Sequence, residues 1–164
     1  GACALSEALQ REGFLVLVWD VYSPEGDYDL HKRSNFELIR TWLMQHKLCG
    51  IFAQLPGDTW SRVAEVSRGS IHNQTDCGRR VNDADALAIV ACRLMLMCRK
   101  RGVPFVLEPP VASTLWNWPL VRSLERHNVT MVTCADLCTY GDREKRRVRM
   151  LSCYVELWPM QCVV

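Results

Sequence analysis

Short, uninterrupted apolar runs alternate with helical patterns along most of this chain, and this alternation limits the fold more than any other feature. Each run is too short for a buried helix and ends in turn residues, so we predict strands covered on both faces. The segments between the runs place apolar residues at the spacing of one helix face. The predicted strands are residues 14–21, 48–53, 103–108 and 129–133, and the predicted helices are 5–12, 35–46, 82–101 and 118–127.

The alternation predicts an α/β fold with a mostly parallel sheet and helices on both faces. Residues 147–155 alternate between apolar and polar side chains, which indicates one further strand with a solvent-exposed face. We expect Ser34 to cap the second helix, and Gly13 and Gly102 to end the first and third helices. No repeat or linker interrupts the pattern, so residues 1–164 are predicted to form a single domain.

The net charge of +2 gives no whole-chain case for nucleic-acid binding, so such a site must rest on local basic clusters. The stronger cluster spans residues 143–149, although a solvated basic face on an ordinary strand and turn explains it better than nucleic-acid binding does. The nine cysteines are odd in number and mostly lie in apolar runs, which favours reduced, buried thiols in an intracellular compartment, nucleus or cytoplasm. We expect neither a metal site nor a membrane span.

Acidic residues stand where two predicted strands end. In an open α/β sheet, ligands bind beyond the carboxyl ends of the strands. Asp20 ends the first predicted strand and could accept hydrogen bonds from ribose hydroxyls. Glu108 ends the third strand beside two prolines, where a carboxyl can have a raised pKa and pass a proton to a ring nitrogen. Taken singly, Asp20 could equally cap a turn and Glu108 could be an exposed loop carboxylate.

Several motifs, in the same order along the chain, resemble those of the cytosine carbon-5 DNA methyltransferases. Residues 1–20 combine a turn, the helix start Leu-Ser-Glu-Ala-Leu, then Gly-Phe and a strand ending in an acid. Residues 55–61, Leu-Pro-Gly-Asp-Thr-Trp-Ser, are similar to the family's Pro-Pro-Cys-x-Thr-Phe/Trp-Ser loop. Residues 106–110 are similar to its Glu-Asn-Pro segment. Residues 111–116 and Cys138-Thr-Tyr-Gly with Lys145 resemble a divergent, mobile-element-associated branch.

The resemblance implies a Rossmann-like methyltransferase fold with S-adenosylmethionine as cofactor. Asp20 would hold the cofactor ribose, and Glu108 would contact the target cytosine and assist protonation of its ring nitrogen. The family acts on a base flipped out of the duplex, so basic residues would lie near that base or the nucleic-acid backbone. The remaining implied contacts are Gly1, Leu5 and Ser6 near the cofactor, and Lys145, Arg147 and Arg149 near the nucleic acid.

This sequence departs from the family at the chemically decisive positions. Gly57 stands where the family has its catalytic cysteine, and glycine has no side chain to attack carbon 6 of cytosine. Cys3 and Ala4 replace glycines of the cofactor turn, and Pro109 replaces the asparagine after the glutamate. The family's first strand would precede Gly1, so we expect a longer parent protein or another chain to supply it.

Three functions follow from these observations as hypotheses. The first is an inactive methyltransferase-like domain that serves as a structural or binding subunit, with protein partners in a larger assembly. The second is an active S-adenosylmethionine-dependent methyltransferase without a cysteine nucleophile, in which Asp58 or Glu108 acts as the base. The third is a nucleic-acid-binding module that uses the basic cluster of residues 143–149.

Overall fold

The computed structural model describes residues 2–18, 29–55, 60, 76–136 and 147–155. These residues form an α/β arrangement, which confirms the predicted class. The helices are α1 (Ala2–Arg11), α2 (Arg33–Met44), α3 (Asp76–Arg101) and α4 (Pro119–Glu125), with a 3-10 helix at Thr114–Asn117. The strands are β1 (Ile51–Gln54), β2 (Phe105–Glu108), β3 (Thr130–Asp136) and β4 (Arg147–Cys153).

Glycines end two of the helices as predicted. Gly13 follows α1 and Gly102 follows α3, and both have a positive φ, a backbone region that residues with a Cβ rarely adopt. The helix starts differ from expectation. Helix α1 begins at Ala2 and not at Leu5, so Cys3 and Ala4, which were expected in a turn, are helical. Lys32, not Ser34, is the residue before α2, so Ser34 lies inside the first turn. Helix α3 begins at Asp76, six residues before its predicted start, and takes in the end of the polar stretch that follows β1.

The sheet is mixed rather than mostly parallel. Its strand order is β1-β2-β4-β3, with β1 parallel to β2 and with β4 antiparallel to both β2 and β3. The reversed strand β4 lies between two strands of the same direction, which removes a parallel pair from the middle of the sheet. The strand predicted at residues 147–155 is confirmed, but its exposed face is limited to Arg147 and, in part, Arg149, because the central position buries β4 from Met150 to Cys153.

The main core lies on one face of the sheet. Leu107 and Leu151 are neighbours in register and both are fully buried there. Helix α3 packs against β1 and β2, α4 packs against β3, and α2 packs against α3. Helices were predicted on both faces of the sheet. The contacts between the described helices and strands confirm a helical layer on one face. The opposite face carries a smaller apolar cluster of Val106, Ala135, Val148 and Met150.

The first predicted strand is not formed by its described residues. Residues 14–18 pair with no strand in the described part of the chain, and the Leu15 side chain is 90% exposed. An apolar run becomes a strand only when it can pair with a neighbouring strand and pack under a covering layer. In the described part of the sheet, no strand lies beyond β1, which is one of its two edge strands. Residues 19–21 lie outside the described ranges. Strand β1 is itself only half-buried, not covered on both faces.

None of the described helices, including the 26-residue α3, combines the length and apolarity needed to cross a membrane.

Candidate functional site

Polar residues from all four strands meet at one edge of the sheet. Strands β1, β2 and β3 run in the same direction, so Gln54, Glu108 and Asp136 end at this edge, where Arg147 begins the reversed strand β4. This is the edge at which α/β sheets bind ligands. We call it the carboxyl edge.

Glu108 is held at the carboxyl edge by its neighbour on β1. The Gln54 side-chain amide donates a hydrogen bond to Glu108 Oε1 at 3.3 Å, and the two residues are partners in the parallel register. The backbone N–H of Leu55 donates to the Glu108 carbonyl oxygen, also at 3.3 Å. Glu108 is half-buried and is followed by the fully buried Pro109. Glu108 therefore lies at the edge of the sheet where it was predicted, and its carboxylate and its carbonyl oxygen both accept hydrogen bonds from the β1 side.

The two described arginines of the basic cluster lie on the other face of the sheet. Leu107 is in register with Leu151, so Arg149, two residues along β4, shares the face of Leu107 and not that of Glu108. Arg147 binds the Asp136 carboxylate with two hydrogen bonds, of 2.8 and 3.0 Å. The structure therefore does not bring Glu108 and these arginines together on one face.

Arg149 is part of a packed cluster at the carboxyl edge. Its guanidinium lies 4.0 Å above the ring centroid of Trp116 and donates to Glu125 Oε1 at 3.0 Å. Trp116 Nε1 in turn donates to the Pro110 carbonyl oxygen at 2.9 Å. These contacts join β4 to α4 and to the segment that follows β2. Sequence reasoning missed Trp116 and Glu125, because no local spacing relates them to Arg149.

Replacing Arg149 with lysine is expected to destabilise the domain although the charge is kept. Lysine loses the planar stacking on Trp116 and the fork geometry toward Glu125, a cost of about 1 kcal/mol in the free energy of unfolding. The matched control is Arg40→Lys, since Arg40 pairs with Glu37 on the exposed surface of α2, where such pairs contribute little. Urea denaturation of both variants measures the difference. Equal losses would contradict the role of the Trp116 contact.

The predicted cofactor residues are only partly described. Leu5 and Ser6 lie on α1, where Leu5 is 37% exposed and Ser6 is half-buried. Gly1, Asp20, Gly57, Asp58 and Lys145 lie outside the described residues. The cofactor side of the predicted site therefore stays a prediction from the sequence.

A cavity of about 290 Å³ lies beside the carboxyl edge, next to the first half of α3 and the 3-10 helix. Trp60 is buried, and its ring also forms part of the cavity wall. The Trp60 carbonyl oxygen accepts hydrogen bonds from the Thr114 N–H at 2.8 Å and the Thr114 hydroxyl at 3.2 Å. Glu108 is not among the described lining residues, which are Trp60, Asp85, Ile89, Thr114, Asn117, Trp118 and Pro119.

Five cysteines have described side chains, and none of these five is placed to replace the missing nucleophile. Burial raises the pKa of the Cys92 and Cys98 thiols to about 12, which keeps both protonated, whereas the thiolate is the attacking form. Burial also raises the pKa of Cys153, at the other end of β4 from the carboxyl edge. Cys134 is exposed but is in register with Arg149, on the face opposite Glu108, and Cys49 precedes β1. Among the described residues, no three His, Cys, Asp or Glu side chains are grouped so that they could hold a metal ion.

Comparisons of the chain with protein-family models, with curated proteins and with solved structures each found no match. The resemblance to cytosine carbon-5 DNA methyltransferases therefore rests on the motifs of the sequence alone.

Proposed function

We propose that this chain is a catalytically inactive methyltransferase-like domain that acts as a structural or binding subunit of a larger assembly. One observation carries the proposal: the described residues assigned to catalysis and nucleic-acid contact are engaged inside the domain. Glu108 is bound by Gln54, Arg147 by Asp136, and Arg149 by Glu125. Groups that are satisfied in this way stabilise a fold without requiring a substrate.

The missing nucleophile supports the same proposal. Gly57 cannot attack cytosine, and the cysteines that the structure describes are neutral and buried or lie away from Glu108. Cys3 and Ala4 replace glycines of the family's cofactor turn, and both lie in the first turn of α1, so these positions are helical and carry a Cβ where the family's backbone approaches the cofactor.

The surface of the N-terminal segment supports a role with protein partners. Phe14, Leu15, Leu17 and Val18 are all exposed within one stretch of five residues. Contiguous apolar surface of this kind is typical of interaction sites. The five cysteines with described side chains have no disulfide partner, which fits a reducing intracellular compartment.

Isothermal titration with S-adenosylmethionine and with its demethylated product tests the proposal directly. We expect no saturable binding in the micromolar range, because two positions of the family's cofactor glycines carry side chains here and belong to α1. Circular dichroism and a denaturation curve on the same sample verify that the protein is folded. Micromolar binding of both compounds would overturn the inactive interpretation and favour a methyltransferase without a cysteine nucleophile.

The substitution Gly57→Cys tests how far the site has diverged. We expect it to confer no cytosine methylation, since Pro109 and the cofactor turn differ as well. A gain of methylation, measured by transfer of a labelled methyl group to DNA, would show that the remaining site is intact. Gly57→Ser is the matched control, because it adds a side chain of similar size without a thiol.

A further inference from the structure

Two helices end side by side at the edge of the sheet opposite the carboxyl edge. Strands β1 and β2 begin at this edge and β4 ends there, since Phe105 is in register with both Ile51 and Cys153. We call it the amino edge. Helices α2 and α3 lead into β1 and β2 through short connections, so both end beside it. Arg101 and Met44 are their last residues, and Arg101 Nη2 lies 3.0 Å from Met44 Sδ, which places the two helix ends together.

Four basic residues lie at these two helix ends. They are Lys47, which follows α2, and Arg99, Lys100 and Arg101, which form the last turn of α3. No acidic residue occurs in residues 44–51, 98–105 or 153–155, which form this part of the amino edge. Within the part of the chain that the structure describes, none of the four is paired with an acid. Their positive charge is therefore left for a partner outside the described domain.

The two arginines are held in place by contacts that leave their charge unpaired. Basic residues at a helix end often form only a solvated surface that offsets the helix dipole. Here Arg99 Nη1 donates to the Ser123 carbonyl oxygen at 3.3 Å, and Arg101 is held against Met44. A guanidinium has five N–H donors, so most of them remain for an anion. Side chains that are ordered before binding lose less conformational entropy when the ligand arrives.

Exposed apolar side chains lie beside these charges. Met44 is 44% exposed and contacts Arg101, and Tyr154 is 49% exposed and donates from its hydroxyl to the Arg99 carbonyl oxygen at 3.4 Å. Arginine, methionine and tyrosine are all enriched where proteins bind other proteins. The amino-edge patch consists of Met44, Lys47, Arg99, Lys100, Arg101 and Tyr154.

The direction of the helices favours a peptide over a nucleic acid as the anion. Phosphates are commonly bound at helix N-termini, where free N–H groups point at the anion. Helices α2 and α3 instead end at the patch, and the partial negative charge of a helix C-terminus opposes an anion. The opposition is stronger for duplex DNA, with one charge per about 1.7 Å, than for a peptide whose carboxylates alternate with apolar residues.

We propose that the amino-edge patch binds an acidic segment of a protein partner. Carboxylates of the segment pair with the guanidinium groups, and its apolar residues contact Met44 and Tyr154. This inference rests on the proposed role as a binding subunit and names the chemistry of one partner. Binding of both the peptide and S-adenosylmethionine would overturn only the inactive interpretation, whereas binding of neither would overturn only the inference about the patch.

Three labelled probes test the proposal by fluorescence anisotropy at about 0.15 M salt. The first is a peptide of about 12 residues that repeats Glu-Glu-Leu, the second has glutamine in place of every glutamate, and the third is a DNA duplex of about 20 base pairs. We expect the acidic peptide to saturate with a Kd below about 100 μM, at least about tenfold below that of the amide peptide. Equal binding of the two peptides, or no saturation by the acidic peptide at about 1 mM, would overturn the proposal. Tighter binding of the duplex would overturn it in favour of a nucleic-acid ligand.

Neutral variants assign the binding to the patch. Lys100→Gln combined with Arg101→Gln is expected to weaken binding of the acidic peptide by about tenfold, and Lys47→Gln by about threefold. The matched control is Lys32→Gln combined with Arg33→Gln, an exposed Lys-Arg pair at the start of α2. Both double variants lower the net charge equally, so the control is expected to lose less than about twofold. Circular dichroism verifies that each variant is folded. Equal losses in the two double variants, or unchanged affinity in both patch variants, would refute the site.

Discussion

Phe105→Ala is expected to cost about 3–5 kcal/mol in the free energy of unfolding. Phe105 is 1% exposed, lies on β2 between β1 and β4, and belongs to the core cluster that α3 covers. Its removal loses the transfer free energy of the ring and leaves a cavity that the packed neighbours fill only in part. Because domains of this size are stable by about 5–15 kcal/mol, the variant is expected to be marginally folded.

Phe52→Ala is the matched control on the same sheet. Phe52 lies on the edge strand β1, next to β2, and is 41% exposed. We expect a loss of about 1 kcal/mol or less, since half-exposed side chains bury little additional surface. Guanidinium denaturation gives the free energy of unfolding of both variants. The dependence of that free energy on denaturant concentration is compared between them to verify that unfolding stays two-state. Similar losses at the two positions would contradict the placement of β1 at the edge and β2 in the interior.

The sequence predicted those features of the fold that depend on local chemistry. Gly13 and Gly102 end their helices because the left-handed backbone that follows a helix is costly for residues with a Cβ. Helix α3 was predicted from its length and apolar composition, and β2 from an apolar run ended by two prolines. Glu108 was placed correctly at the carboxyl edge for the same reason, since a strand that ends at a proline fixes the position of its last residue.

Features that depend on distant neighbours could not be predicted in this way. Residues 14–18 have the composition of a buried strand but join no described strand, and β4 has the alternation of a surface strand but is central. Burial of a strand is decided by which strands lie beside it, and that information is not in its own residues. The cavity also depends on distant neighbours, because two of its lining residues, Thr114 and Trp60, are 54 positions apart and are joined by hydrogen bonds. The pairing of Arg149 with Glu125 is equally non-local.

His31 joins two parts of the chain through both of its ring nitrogens. Nδ1 lies 2.8 Å from Asp29 Oδ1, and Nε2 lies 2.8 Å from the backbone carbonyl oxygen of Asp83 on α3. Both partners accept hydrogen bonds. A neutral imidazole carries one N–H and can donate to one of them, whereas the imidazolium donates to both. Protonated His31 therefore ties the segment before α2 to the first half of α3.

The charges around His31 favour the protonated ring. Burial by itself lowers the pKa of His31, but the hydrogen bonds to the Asp83 carbonyl and the Asp29 carboxylate, with the charges of both acids, outweigh it and raise the pKa above 6.5. Burial likewise raises the pKa of Asp29, and the hydrogen bonds and charge of His31, with the charge of Lys32, outweigh it and lower the pKa below 3.8. Between pH 3.8 and pH 6.5, the Asp29 carboxylate is therefore negatively charged and the His31 ring positively charged.

The contribution of His31 to stability is accordingly expected to fall as the pH rises. A group whose pKa is raised on folding contributes fully below its unfolded value of 6.5, and the contribution is lost as the pH passes the folded pKa. We expect His31→Ala to cost about 1–2 kcal/mol at pH 5.5, a value reduced for partial exposure, and clearly less at pH 9. Urea denaturation at the two pH values measures this difference.

The exposed His46 provides the control for this pH dependence. Asparagine is the replacement, because His46 has a positive φ that asparagine tolerates. His46→Asn, measured at the same two pH values, gives the effect of removing an exposed histidine for comparison. An NMR titration of the His31 ring should give a pKa above 6.5. A lower pKa, or a loss in His31→Ala that does not depend on pH, would mean that neutral His31 makes only one of the two hydrogen bonds. The connection between α2 and α3 would then rest on their apolar contacts, with Leu43 as the fully buried residue on the α2 side.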